Sequence, residues 1–412
     1  ARSRFARAGG LAQERLQAAV GALLDAHGAE LALVPGVQPD VGAGVALGGV
    51  GGVVVFLPNI LLLFLAIAIL EDSGYMARAA FIMDRLMRKI GLHGKSFIPM
   101  LIGFGCSVPA IMATRTLENR RDRLTTMLVV PLLSCGARLP IYALIIPAFF
   151  PQVWHGPVLW IIYVIGIVLA VASAKFLRST VLKGESVPFV MELPPYRMPT
   201  VKGIFIHMWE RGWLYLKKAG TVVLGISILL WAMTTFPGLS DDRAAQFETA
   251  RREILGGTMP EAEKTARLAA ILNEESEAAL QSSLAGRIGY AMEPLLRPMG
   301  FDWKIGTALI GAFAAKEVFV AQMGIIHSIG EADEESETLR EKLKKNYTPL
   351  VGFCIMLFCL ISAPCMVTIA VTRCESNSWG WALFQLGGLT LLAYGITVLV
   401  YQAGRFLGIG VV

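Results

Sequence analysis

The chain has 412 residues, 55% of them hydrophobic and 17% charged, with a formal net charge of +6 and a mean hydropathy of +0.60. That is more apolar than an ordinary soluble domain, and the Lys and Arg residues lie in short loops between apolar runs, which excludes nucleic-acid binding and suits loops facing an anionic leaflet. The six cysteines form no CxxC pair, and five fall inside apolar runs, so disulfides are not expected.

Residues 1–41 read as a short amphipathic helix (Leu11, Leu16, Val20, Leu23, Leu24) followed by a loop at Pro35-Gly36. Glu14 and Arg15 interrupt the apolar stretch, so no signal peptide is read, and a chain opening on Ala1 is expected to lack its native N-terminus. Runs of about 20 apolar residues can cross a bilayer. They fall at 42–70, 96–114, 124–150, 158–177, 219–237, 305–327, 348–373 and 380–402. The expected protein is all-α and polytopic. Its divisions are a 1–41 linker, a first module at 42–150, a connecting helix and basic loop at 151–218, a second module at 219–373 and a C-terminal membrane helix at 374–412. The second module carries a polar, mixed-charge helical insert at 238–304, and 328–347 opens acidic and turns basic.

Two runs cannot be unbroken helices. Leu101-Ile-Gly-Phe-Gly-Cys106-Ser-Val-Pro109 and Pro131-Leu-Leu-Ser-Cys135-Gly-Ala-Arg138-Leu-Pro140 both set a cysteine among Gly and Pro. Unwound backbone at bilayer depth persists only where protein buries it or where it lines a wet cavity. A thiol at such a break is a candidate cation ligand, and the carbonyls freed beside it can serve the same ion. Cys365, in Ala363-Pro364-Cys365-Met366, shares the context, and Met366 offers a second soft donor. Thiolate and thioether ligands suit soft or borderline divalent metals rather than Mg²⁺ or Ca²⁺. Cys354 and Cys359 lie in the smooth run 353–360 and read as core packing.

The basic loops 71–95, 115–123 and 178–218 belong on the inner side, and 151–157 outside. Segment 96–114 has basic loops at both ends, so it is expected to be a re-entrant hairpin turning back at Gly103–Pro109. Leu101-Ile102-Gly103-Phe104 recurs as Leu309-Ile310-Gly311-Ala312-Phe313, and Ser134-Cys135 as Ala363-Pro364-Cys365. Segment 158–177 shifts the second copy by one crossing. The result is two inverted repeats, each with a broken or re-entrant helix, the plan of an alternating-access transporter with its site near the midplane.

Glu71-Asp72 close the first run, either as a solvated helix end or as a carboxylate pair drawing a cation inward. Arg138, Lys316 and Glu317 are charges at membrane depth that require partners. Gly94-Lys95-Ser96 resembles the end of a phosphate-binding loop, but Lys89 stands where that motif needs glycine and no strand precedes it. Histidines 27, 93, 155, 207 and 327 have no zinc-site spacing.

The motifs Leu70-Glu-Asp-Ser-Gly-Tyr-Met-Ala-Arg-Ala-Ala-Phe81, Gly103-Phe-Gly-Cys-Ser-Val-Pro-Ala-Ile-Met-Ala-Thr-Arg115 and Ser134-Cys-Gly-Ala-Arg-Leu-Pro-Ile-Tyr142 resemble the membrane domain of the FeoB family of bacterial ferrous iron transporters. Pro188-Phe-Val-Met-Glu-Leu-Pro-Pro-Tyr196, Ala314-Ala-Lys-Glu317 and Ala363-Pro-Cys-Met366 extend the resemblance from about residue 45 to the C-terminus. It implies two gate modules and a multi-pass protein of the bacterial inner membrane moving Fe²⁺ along Cys106, Cys135, Cys365, Met366, Glu71 and Asp72. The chain itself would hold no cofactor and catalyse no reaction. The family's G-protein domain, with its true P-loop, is not in this sequence, so GTP would act only through that domain as a partner. The bilayer is the other implied partner, while small Feo accessory proteins and a homo-oligomer stay open. Two transport alternatives stand beside this reading. One is a gate-fold carrier for an organic solute such as a nucleoside, which needs a roomy polar pocket. The other is a transporter of Zn²⁺ or Mn²⁺. A metal-binding receptor or scaffold is a third class.

Overall fold

The computed structural model describes residues 58, 61–183, 196, 198, 200–256, 261–327 and 337–408, and the described residues are helical, with no strand among them. The linker 1–41 and most of the run 42–70 lie outside the described residues. The chain divides into two compact units, one of residues 1–88, 93–98 and 187–229 and the other of 89–92, 99–186 and 230–412.

The smaller unit contains helix α1 (residues 61–72), most of α2 (Tyr75–Ile90) and the first part of α8 (Val201–Thr235). The basic stretch expected as loop is therefore partly helical: α2 lies inside 71–95, and α8 runs through the segment before 219. Arg78 stacks 3.4 Å over the ring of Tyr196. Asp84, 3% exposed, pairs with Arg88 one turn on and accepts from the Gly94 amide at 3.1 Å. Gly94–Ser96 is a 3-10 turn capped by His93 Nδ1 on the Lys95 amide.

The larger unit holds the broken elements. Helix α3 (Phe97–Gly103), whose first two residues belong to the smaller unit, and α4 (Ser107–Ala113) are separated by a break at 104–106. Then α5 (Arg120–Val129) runs through a 3-10 turn at Val130–Leu132 into a break, and the chain resumes as α6 (Leu139–Phe149), followed by the continuous α7 (His155–Ser179). After α8, the polar insert is helical as expected: α9 (Asp241–Gly256), α10 (Glu261–Ser282) and α11 (Leu284–Leu296). The second series follows: α12 (Trp303–Ala314), α13 (Val318–Ile326), α14 (Glu337–Asn346), α15 (Pro349–Ile361), α16 (Met366–Ser376) and the continuous α17 (Trp379–Phe406). Among the described residues, a break between two short helices, a broken span and an unbroken helix thus occur twice in the same order.

Four stretches are long and apolar enough to cross a bilayer: Arg120–Phe149, Gln152–Ser179, Pro349–Ser376 and Trp379–Phe406. They coincide with the runs at 124–150, 158–177, 348–373 and 380–402. Each is about the length that spans the hydrocarbon core. The two broken ones are mostly buried within the protein, and the two continuous ones mostly exposed, which is what unwound backbone at membrane depth demands.

The breaks follow local chemistry in three places out of four. Gly103 ends α3, and Pro109 sits in the first turn of α4, where its missing N–H costs nothing. Pro131 and Pro140 prevent one helix from running through residues 131–140. Pro364 pushes Ala363 out of helical geometry between α15 and α16. The fourth differs from expectation. Gly311, the counterpart of Gly103 in the recurring Leu-Ile-Gly motif, lies inside α12, and the chain breaks after Ala314. Gly311 is instead a point of close approach, since a Cβ there would lie 2.3 Å from Gln322 Oε1.

Candidate functional site

Each thiol at a break occupies the residue just before a helix or 3-10 turn: Cys106 before α4, Cys135 before Gly136–Arg138, Cys365 before α16. Their backbones are extended or near-extended, at φ −153°, ψ 131° for Cys106, φ −83°, ψ 163° for Cys135 and φ −57°, ψ 154° for Cys365. All three are part-exposed, whereas Cys354 and Cys359 are buried in α15, as core packing predicts.

The two breaks of the first series touch directly: the Gly136 amide donates to the Gly105 carbonyl at 3.0 Å. Helix α4 packs against α16, bringing the third thiol to the same region. Cys106, Cys135 and Cys365 lie within electrostatic range of one another, and Glu317 lies within range of Cys106 and Cys365. Among the described residues, no three His, Cys, Asp or Glu side chains form a closed set that would hold a metal ion. Met366 opens α16 beside Cys365 and is part-exposed. The Cys365 Sγ lies 3.2 Å from Thr368 Oγ1.

Glu71 and Asp72 end α1 in the smaller unit, Glu71 exposed and Asp72 half-buried. The carboxylate the structure adds beside the thiols is Glu317. Its signal in the sequence was a charge inside an apolar run, but adjacency to Lys316 left its direction open. It immediately precedes α13, in the place Cys106 takes before α4.

The buried charges find partners other than each other. Arg138, 1% exposed, donates from Nη1 to the Leu133 carbonyl at 3.0 Å and from Nη2 to the Pro131 carbonyl at 2.9 Å. These are carbonyls that the break strips of helical partners. Gly166 of α7 admits this backbone, since a Cβ there would sit 2.9 Å from the Leu132 carbonyl oxygen. Ser134 Oγ donates to the buried Tyr142 hydroxyl at 3.3 Å. Lys316 Nζ donates to Ser362 Oγ at 3.0 Å.

At one end of the same unit, the Glu375 carboxylate, its side chain 2% exposed, takes Arg115 in a two-point pair at 2.5 and 2.7 Å and Arg123 at 2.9 Å. The hydrogen bonds that Arg115 donates to the Glu375 carboxylate hold its guanidinium above its ordinary pKa. This ties the chain after the first hairpin to the end of the second broken span. Gln385 of α17 makes another tie, donating to the Met127 carbonyl at 2.9 Å and accepting from Thr372 Oγ1 at 2.8 Å.

Four apolar stretches of membrane-spanning length among the described residues, two of them broken, define a helical membrane protein. The family model of the gate domain, described as nucleoside recognition, matches residues 53–149 and 216–379. The model of the ferrous iron transport protein B C terminus matches residues 159–211. The Fe(2+) transport protein A/Fe(2+) transporter FeoB fusion protein of Porphyromonas gingivalis is 45% identical over 370 residues, covering 87% of this chain and 43% of that protein. The Fe(2+) transporter FeoB of Campylobacter jejuni is 42% identical, covering 82% of this chain and 51% of its own length. That of Helicobacter pylori strain J99 is 38% identical, covering 89% and 57%. The chain belongs to the gate family and, within it, to the membrane domain of the FeoB family. It spans about half the length of the curated relatives it matches. No solved structure matches it.

Proposed function

We propose that this chain is the ion-conducting part of a multi-pass ferrous iron permease of the bacterial inner membrane, and that Fe²⁺ passes along Cys106, Cys135, Cys365 and Glu317. The observation that carries the reading is the 3.0 Å hydrogen bond from the Gly136 amide to the Gly105 carbonyl. It joins two thiol-bearing breaks inside one buried region. The printed names of the relatives supply the ion. Thiols suit a borderline divalent cation better than a hard one. Donors strung along a path, rather than closed around a point, favour passage over storage. Met366 adds a thioether at the Cys365 end. Glu71 and Asp72 act upstream, gathering the hydrated cation through their field.

The order of span, broken hairpin and broken span makes two inverted repeats, 42–150 and 219–373, the second shifted by one crossing through the helix in the 151–218 link. In this reading the hairpins are re-entrant from opposite faces. Thiol-reactive probes should then reach cysteines placed at positions 93 and 118 from the same side, and at 303 and 330 from the other. GTP enters only through a G domain that these residues do not contain.

The test is Fe²⁺ uptake into proteoliposomes under reducing conditions. Partners outside the ligand sphere already cost about 10–100-fold in metal affinity, so Cys106→Ser and Cys135→Ser should each lower uptake per folded molecule at least about tenfold. Wild-type rates in both variants would remove the thiols from the path. The gate model's description, nucleoside recognition, supports a second reading as a nucleoside carrier. Uptake of labelled uridine without dependence on metal would favour it.

A further inference from the structure

Lys316 is the group the ion path leaves unexplained. It lies between α12 and α13, 4% exposed, and its ammonium donates to Ser362 Oγ at 3.0 Å. Ser362 opens the break that ends at Cys365, so this one side chain joins the two breaks of the second series. Among the described residues no carboxylate pairs with it. Cys359, Arg138, Cys135 and Cys365 lie within electrostatic range of it. A buried ammonium without a carboxylate is costly, and charges at membrane depth mark function by default. Packing alone would be served better by methionine.

We propose that the Lys316 ammonium is the resident cation of the ion path, held by Ser362 beside the thiols between ions, and that a divalent cation must displace it to pass. The inference rests on the thiol path proposed above and adds a device to it. Soft donors by themselves would bind a divalent metal tightly and release it slowly. A tethered positive charge among them repels the incoming ion and shortens its stay. The short, hydroxyl-anchored reach from one break to the other keeps the charge in the path rather than in solvent.

The experiment uses the full chain in lipid nanodiscs, with Co²⁺ as the binding probe and Fe²⁺ efflux from proteoliposomes as the flux readout. Lys316→Gln keeps a donor for Ser362 and removes the charge. It should bind Co²⁺ about tenfold or more tighter, the direction set by removing like-charge repulsion, and release Fe²⁺ more slowly. Lys316→Arg keeps the charge and should stay within about twofold of wild type on the same argument. If Lys316→Gln does not fold, Lys316→Met serves, since replacing a buried charge by an apolar group of similar volume is often neutral or stabilising. Binding equal to or weaker than wild type in a folded, uncharged variant overturns the proposal; weaker binding would make the lysine a ligand. Adding Cys106→Ser and Cys365→Ser separates the two readings. Tightening that survives both changes keeps the resident cation and removes the thiol path. Absence of tightening, with thiol variants that still lose uptake, does the reverse.

Discussion

Cys106 and Ala315 adopt nearly the same backbone, φ −153°, ψ 131° and φ −149°, ψ 131°, one in each broken hairpin. The side chains around that shared turn differ. The first hairpin offers a thiol, directly hydrogen-bonded through Gly105 to the neighbouring break. The second offers a carboxylate and an amine, Glu317 and Lys316, the amine bonded to the neighbouring break through Ser362. The span breaks differ in the same sense. Arg138 caps the first with its guanidinium from within the same break, and Gly166 lets α7 lie against it. Among the described residues the second has no such internal clamp and receives Lys316 from the hairpin of its own series. One backbone plan therefore carries two sets of side chains: the first break is braced by its own guanidinium, and the second by an ammonium from the hairpin of its own series.

The sharpest way to break that comparison is Arg138→Leu. It leaves two buried carbonyls without partners, and each such group costs about 1–3 kcal/mol. Thermal unfolding in detergent should show a loss of about 4 kcal/mol on that account. Arg138→Lys, a single compact ammonium in place of the planar fork, should recover only part of it. A melt unchanged by Arg138→Leu would mean that the first break is not braced by this clamp. Gly166→Ala tests the same brace from α7. Its Cβ would meet backbone at 2.9 Å, and overpacking of this kind costs about 1–3 kcal/mol.

Glu375→Gln probes the tie between the two series. A fully buried pair loses about 3–5 kcal/mol when one partner goes. Arg115 is 55% exposed, and solvent screening reduces the expected loss to about 1–2 kcal/mol. Uptake should be unchanged if the tie is only structural. Glu317→Gln should do the opposite, leaving the melt nearly unchanged and lowering Fe²⁺ uptake about tenfold, within the range for losing a metal-site partner. Equal uptake would return the second hairpin to a purely structural role. The smallest effect is expected at the other unit. Glu71→Gln with Asp72→Asn should lower uptake about twofold at low ionic strength and hardly at all above about 0.15 M salt, where the Debye length is about 8 Å. A loss independent of salt would bring these carboxylates into the path itself.

Much of this molecule was legible from residue type. Pro131, Pro140 and Pro364 cannot continue a helix in place, and Gly103-Phe104-Gly105 invites a turn, so three breaks and the thiols beside them could be read directly. The buried, uninterrupted run around Cys354 and Cys359 declared itself as core in the same way. The fourth break could not be read. Ala314-Ala315-Lys316-Glu317 contains good helix formers, and by local propensity it would continue α12. The glycine nearby, Gly311, proved to be a packing site.

What the sequence determined by itself was the class: apolar length enough to span, basic loops to orient, and cysteines at breaks that proline and glycine impose. Those are properties of single residues and their neighbours. What only the tertiary structure decided was partnership. It placed the Gly136 amide on Gly105, Arg138 on the carbonyls of its own break, Lys316 on Ser362 and Glu375 between two arginines. The physical reason is that a buried charge or an unwound carbonyl must be satisfied, but its partner can come from any segment the packing brings near. Lys316 and Ser362 are 46 residues apart, and Arg115 and Glu375 are 260. No local pattern encodes those separations, and only the packed helices supply the missing hydrogen bonds.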